Sequence, residues 1–241
     1  MYDFASVREA TDRYWHAIRT ALGQGPQDLC RDLGVWEAWA RPDLLLSQTC
    51  GVPFRSRLHG TVTLIGTPDY GLPQCGPGEY NSVFVVRADD PRDGLADFDG
   101  ACIAVNSQSS QSGWAGPIMH ARAKGIRFGK PIKSGAHAMS AEAVASGAAD
   151  IAALDALSWH FIQRETAFAE RLRVIDTTTP TPGLPYITKR NADAETMFDA
   201  VKQAIADLSE EDRRALSLKG IVRIPTEAYL SVPTPAPPSF A

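Results

Sequence analysis

One feature constrains this chain more than any other. Between Cys102 and Thr178 short apolar runs alternate with helical segments, joined by connections of a few residues. The order is strand "CIAVN", helix from about Gly113 to Lys124, strand "KPIKSG", helix "SAEAVASG", strand "DIAALD", helix "ALSWHFIQRETAFA", strand "LRVIDTT". Strands that alternate with helices over short links build a parallel sheet covered by helices. This middle segment, residues 88–178, reads as one α/β unit.

The flanks differ. Residues 4–22 repeat with a helical period that puts Phe4, Val7, Tyr14, Ile18 and Leu22 on one face. "DLCRDLGVWEAWA" predicts a second short helix, with its tryptophans in the core. "PDLLLSQ", "GTVTLIGTPDY" and "YNSVFVVRADD" predict strands. After "TTTPTPGLP" and "YITKRN", the helix "AETMFDAVKQAIADL" turns Met197, Phe198, Val201, Ala204, Ile205 and Leu208 to one side. A last helix begins at Ser209, with Asp212 placed three residues on, close to a capping box. The Pro-rich end "SVPTPAPPSFA" predicts an extended or disordered tail.

The expected organisation is therefore two α/β lobes, each a mostly parallel sheet flanked by helices. Residues 1–87 with 179–230 form the first, 88–178 the second, and 231–241 a tail. The crossings fall near Ser82–Arg87 and Thr177–Tyr186. Two lobes joined by two crossings make a cleft, a favoured place for a ligand.

Composition removes several classes of function. The 241 residues suffice for a large core, and the net charge of −4 without a basic stripe argues against a nucleic-acid partner. No apolar run is long enough to span a bilayer. No secretory signal stands at the N-terminus, so the chain as written reads as cytoplasmic. The four cysteines include no CxxC pair, which argues against zinc. Cys50 and Cys75 both lie in Gly/Pro-rich turns and are the pair to test for a disulfide. Free thiols are the other reading. No metal site, no cofactor and no catalytic motif is expected: GxSxG, P-loop, GxGxxG and HExxH are all missing.

Ligands of open parallel sheets bind beyond the carboxyl ends of the strands. The polar residues there are Gln48 and Thr49 after "DLLL", the stretch "NSQSSQSGW" after "CIAV", His137 after "KPIKSG" and Asp155 after "DIAAL"; Tyr80 lies between the lobes. In "NSQSSQSGW", Ser110, Gln111, Ser112 and Gly113 open the next helix. Free N–H groups, the helix dipole and serine hydroxyls together make a neutral cradle for an oxyanion. A solvated polar loop is the competing reading. Asp155 is either a ligand's proton acceptor or the N-cap of the helix from Ala156. His137 is either a donor or a turn residue. Tyr80 alone reads as core.

The same residues resemble the phosphate, phosphite and phosphonate substrate-binding proteins of ABC transporters, which have the type II periplasmic binding fold. The carriers are "YNSVFVVRADDP", "LADFDGACIAVNSQSSQSGW", "KSGAHAMSAEAVASGAADIAALDALSW" and "LRVIDTTTPTPGLPYIT". The resemblance covers about Tyr2 to Ile224 and implies capture of a small oxyanion or phosphonate for a transporter permease. It implies ligand contact by Tyr2, Tyr80, Ser110, Gln111, Ser112, His137 and Asp155. Gln111 stands where the family has Thr, Asn81 where it has a second Tyr, and "SQTCG" replaces a Gly-Pro turn. The family is periplasmic. Its fold places a strand before Tyr2, so a truncated start is expected here. A cytoplasmic ligand sensor and a small-molecule enzyme on the same fold are the alternative functions.

Overall fold

A computed structural model describes residues 1–240. The chain forms two compact units, Met1–Glu79 with Pro182–Ser231 and Tyr80–Thr181 with Val232–Ala241, of which Ala241 lies outside the described residues.

The second unit is built on a five-stranded mixed sheet. Its spatial order is Ile132–Lys133, Ile103–Val105, Ile151–Asp155, Ser82–Arg87, Leu172–Thr177. The first three run parallel, and Ser82–Arg87 is antiparallel to both of its neighbours. Ser82–Arg87 was expected at a crossing, yet it is a central strand of this unit. Phe84, Val85 and Val86 are wholly buried. A continuous apolar run marks a strand covered on both faces, and "VFVV" is that signal. Around it Phe98, Ile103, Val105, Ile151 and Ala153 complete the core. Each of the Val, Ile and Phe side chains contributes about 1.5–3 kcal/mol by leaving water.

The first unit departs from the parallel sheet expected of it. Its strands Ser47–Gln48, Tyr186–Lys189, Val62–Asp69 and Gly220–Val222 lie in that order, and all three pairings are antiparallel. Alternation with helices enforces parallel pairing only for successive strands. Here Val62–Asp69 pairs with strands more than 100 residues later, whose direction no local pattern dictates. The helix Ala194–Asp207, capped by Asp193, packs on this sheet and on the helix Arg8–Leu22. Gly66 permits that approach, since a Cβ there would stand 2.8 Å from the Phe198 ring. Trp39, Leu44, Phe54, Leu58, Ile187 and Tyr229 form a core cluster.

Two expected elements shrink. The helix over 28–40 covers only Val35–Trp39, because Gly34 ahead of it is extended. The strand over 42–48 covers only Ser47–Gln48. A turn at Pro42–Asp43 precedes it, and Leu44 N–H bonds back to Arg41 O. Cys30, Cys50, Cys75 and Cys102 are free thiols, so Cys50 and Cys75 are not bridged.

Of the two states expected for the Pro-rich end, the structure shows the extended one. Val232–Phe240 joins the second unit as an extended strap. Trp114 Nε1–H donates to Ala236 O at 2.9 Å, and Phe240 packs on the core around Phe84 and Phe98. An indole donor and an apolar end anchor suffice to fix a segment that composition alone reads as loose.

Candidate functional site

Three parallel strands of the second unit end at one edge, and each is followed by candidate residues. Ile103–Val105 leads into Asn106 and the serine-rich turn. Ile132–Lys133 leads to His137, and Ile151–Asp155 ends on Asp155 itself. Tyr80 reaches the same edge, because Ser82, two residues on, is the register partner of Asp155. Tyr80 and Asp155 are 3% and 2% exposed, which sets both among buried groups.

The serine-rich turn is not a solvated loop. Ser110, Gln111 and Ser112 are buried. Ser110 is the N-cap of a π-helical turn, Gln111–Ala115, that runs on into the α-helix Gly116–Ala123. Its Oγ accepts from Gly113 N–H at 2.9 Å, so its own proton stays available for another acceptor. Wider π turns concentrate at functional positions in helices. Gly113 leaves room for the Asn106 carboxamide, since a Cβ there would fall 2.0 Å from Asn106 Oδ1.

His137 opens the helix His137–Ala145, which begins three residues earlier than the sequence pattern predicts. It is therefore a first-turn residue and not part of a loose turn. Ser112 Oγ lies 2.9 Å from His137 Nε2, Asn106 Nδ2 lies 3.4 Å from the same nitrogen, and Ser110 Oγ lies 3.5 Å from Ser112 Oγ. An amide nitrogen can only donate, so Nε2 is assigned as the acceptor and the ring proton sits on Nδ1. Burial pushes the His137 pKa down to about 4, which keeps the ring neutral at pH 7. His137 Nδ1 and Asn106 Oδ1 are buried and without a hydrogen-bond partner.

Asp155 Oδ1 accepts from Ser158 N–H at 2.8 Å, so the N-cap reading describes one of its oxygens. The dipole of the helix Ala156–Glu165 favours its negative charge.

In the first unit a separate group forms. Gln48 Nε2 donates to Leu184 O at 3.0 Å and contacts Tyr70 Oη at 3.2 Å. Thr49 is fully buried; its N–H donates to Pro185 O at 3.0 Å and its Oγ1 lies 3.4 Å from Cys50 O. Tyr2 stands edge-on to Tyr70, with ring centroids 5.4 Å apart. Tyr186 Oη donates to Tyr14 Oη at 3.5 Å, and burial raises both phenol pKa values.

Sequence reasoning did not select Asn106, Tyr14, Tyr70 or Tyr186. Asn106 had a signal, being the first residue past a buried strand. The tyrosines had none, since 172 residues separate Tyr14 from Tyr186. Among the described residues no group of three or more His, Cys, Asp and Glu side chains is placed to hold a metal ion. No helix there is long and apolar enough to cross a membrane.

Residues 46–226 match the family model for the periplasmic substrate-binding protein of phosphonate ABC transporters. Comparison with curated proteins gives no match. Among solved structures, PhnD1 from Prochlorococcus marinus in complex with methylphosphonate is similar at TM-score 0.69 and 16% identity, over 92% of this chain and 90% of that one. XAC2383 from Xanthomonas citri is similar at TM-score 0.65 and 18% identity, over 95% of this chain and 90% of that one. The binding component PA3383 of a phosphonate ABC transporter from Pseudomonas aeruginosa gives TM-score 0.55 at 15% identity, over 92% and 76%. The α/β fold is that of periplasmic binding proteins.

Proposed function

The chain belongs to the family of periplasmic substrate-binding proteins of phosphonate ABC transporters, and from that premise we propose that the Asn106–Gly113 turn of its second unit binds a small oxyanion of phosphonate or phosphate type. The observation that carries the reading is the hydroxyl chain Ser110–Ser112–His137, which ends on a buried, neutral imidazole with an unpartnered nitrogen.

The donors needed are all neutral. The Ser110 hydroxyl, 3.5 Å from Ser112 Oγ, can turn its proton from that oxygen to a ligand's, and the first-turn N–H of Ser112 has no intrahelical acceptor. The neutral His137 ring adds an N–H. Each hydrogen bond to a charged oxygen contributes about 1.5–3 kcal/mol, so three offset the desolvation of a small anion without any lysine or arginine. A neutral donor set also lets the anion leave, as delivery to a permease requires.

Gln111 stands where the family has a hydroxyl, so phosphonate has to be compared with other oxyanions. Methylphosphonate, held by the Prochlorococcus PhnD1, is the first ligand to test. Asp155 and Tyr80 complete the set in this unit, with Asp155 taking a protonated ligand oxygen or an amine. For the first unit the reading assigns ligand contact to Tyr2, Gln48 and Thr49. The protein works as a binder in the periplasm and leaves its ligand chemically unchanged.

The test is a thermal-shift titration in phosphate-free buffer with methylphosphonate, aminoethylphosphonate, phosphite, phosphate and sulfate. The expected result is a saturable rise with one of them, weakened at least tenfold in Ser110→Ala/Ser112→Ala. No shift with any anion in the folded protein would overturn the reading.

A further inference from the structure

The strand Tyr186–Lys189 joins two different environments of the first unit. At its start Tyr186 is the register partner of Gln48, beside the tyrosine group. At its end Lys189 is the register partner of Val62. Three residues of strand separate the two ends, about 10 Å.

At the Lys189 end a groove of about 520 Å³ opens. Trp36, Trp39 and Leu58 line its walls, while Arg57, Lys189 and Arg190 carry its charge. The Arg57 guanidinium lies 4.4 Å from the centre of the Trp36 ring. Arg41 also borders the groove, but Asp43 engages it through two hydrogen bonds of 2.9 and 2.8 Å. Arg57, Lys189 and Arg190 are exposed; among the described residues none of them forms a salt bridge, although Lys189 is near enough to Asp43 to help hold that carboxyl below its usual range.

This is a local reversal in a chain of net charge −4. Three exposed cations give the groove a positive rim that attracts an anion. The half-buried Trp36 ring supplies what an inorganic ion cannot use, apolar area with a π face, and the buried Trp39 and Leu58 back it. The volume falls within the usual range for small-molecule sites.

We propose that this groove is a second binding site, for a small amphipathic organic anion. Its aromatic or short aliphatic body lies against Trp36, and its carboxylate, phosphate or sulfonate faces Arg57, Lys189 and Arg190. An inorganic anion lacks the body and a neutral aromatic lacks the charge, so both bind weakly. The site is independent of the serine turn, which belongs to the other unit.

The test is isothermal titration calorimetry with 1-naphthyl phosphate on the full chain carrying Ser110→Ala/Ser112→Ala, which silences the serine turn. One saturable site is expected, weakening as salt rises. Adding Lys189→Ala/Arg190→Ala should weaken it at least tenfold, and Trp36→Ala should do so separately. Lys189 and Arg190 are exposed, so circular dichroism of that variant should be unchanged. Inorganic phosphate and 1-naphthol should each bind at least tenfold more weakly than 1-naphthyl phosphate. The proposal is overturned by the absence of saturable binding, by affinity unchanged in Lys189→Ala/Arg190→Ala, or by inorganic phosphate binding as well as the naphthyl ester. Capture by phosphatidylglycerol vesicles without binding of the soluble ester would reassign the groove to a lipid surface and equally overturn it.

Discussion

The two units use their buried polar groups differently. In the first, Gln48 Nε2 bonds Leu184 O and Tyr70, while Tyr229 Oη lies 2.5 Å from Thr67 Oγ1 and donates to Gly183 O at 3.0 Å. These bonds close within the unit and hold its antiparallel sheet to the segments around it. In the second, Asn106 Oδ1 and His137 Nδ1 remain buried and unpartnered beside a chain of serine hydroxyls. Each such atom costs about 1–3 kcal/mol. A fold keeps that cost where a ligand can offset it. Sheet topology explains why the difference falls this way. Parallel strands bring their carboxyl ends, and the helix starts that follow, to one edge. Antiparallel strands send alternate ends to opposite edges, and no such convergence arises.

The contrast can be broken most severely at Gly113. With a Cβ 2.0 Å from Asn106 Oδ1, Gly113→Ala must displace the buried Asn106 carboxamide, at a cost of about 1–3 kcal/mol for overpacking. Oxyanion affinity should fall by more than tenfold, read by thermal shift and calorimetry together. Unchanged affinity would place the ligand elsewhere.

The pH dependence of stability sharpens the contrast next. The folded His137 pKa, about 4, lies below the unfolded value of roughly 6.5. The unfolded chain therefore binds the proton first as pH falls. Stability present above pH 6.5 is lost between about 6.5 and 4, by up to a few kcal/mol. Urea unfolding across that range should show the loss in the native protein and a flatter profile in His137→Gln. Equal slopes would mean the imidazole is not held neutral.

In the first unit Tyr229→Phe should cost about 1–2 kcal/mol, by leaving Thr67 Oγ1 and Gly183 O short of a partner. Oxyanion affinity should not change, which separates a structural network from the serine turn. The smallest effect belongs to the strap. Trp114→Phe removes the bond to Ala236 O at a partly exposed position and should cost about 0.5–1 kcal/mol in thermal unfolding.

Local patterns in the sequence located most of the elements and drew attention to the serine-rich turn. Apolar runs such as "VFVV" and "IAAL" define strands buried on both faces. Asp193 and Ser209 mark where helices begin. Strand–helix alternation in the second unit is enough to put Ser110, Ser112 and His137 beyond strand ends and Asp155 at one. All of these are carried by a few neighbouring residues, so one stretch of chain suffices to read them.

Only the tertiary structure decided the rest. Val62–Asp69 meets Tyr186–Lys189 across more than 100 residues, and backbone pairing at that distance fixes its direction without leaving a local trace. Ser82–Arg87 became a central strand because two later strands flank it. The proline-rich end became an ordered strap because Trp114 offers a donor there. His137 became a neutral ring because burial, a property of the assembled unit, lowered its pKa. Hydrophobic period and capping are local interactions. Strand direction, burial and charge depend on what the rest of the chain brings alongside.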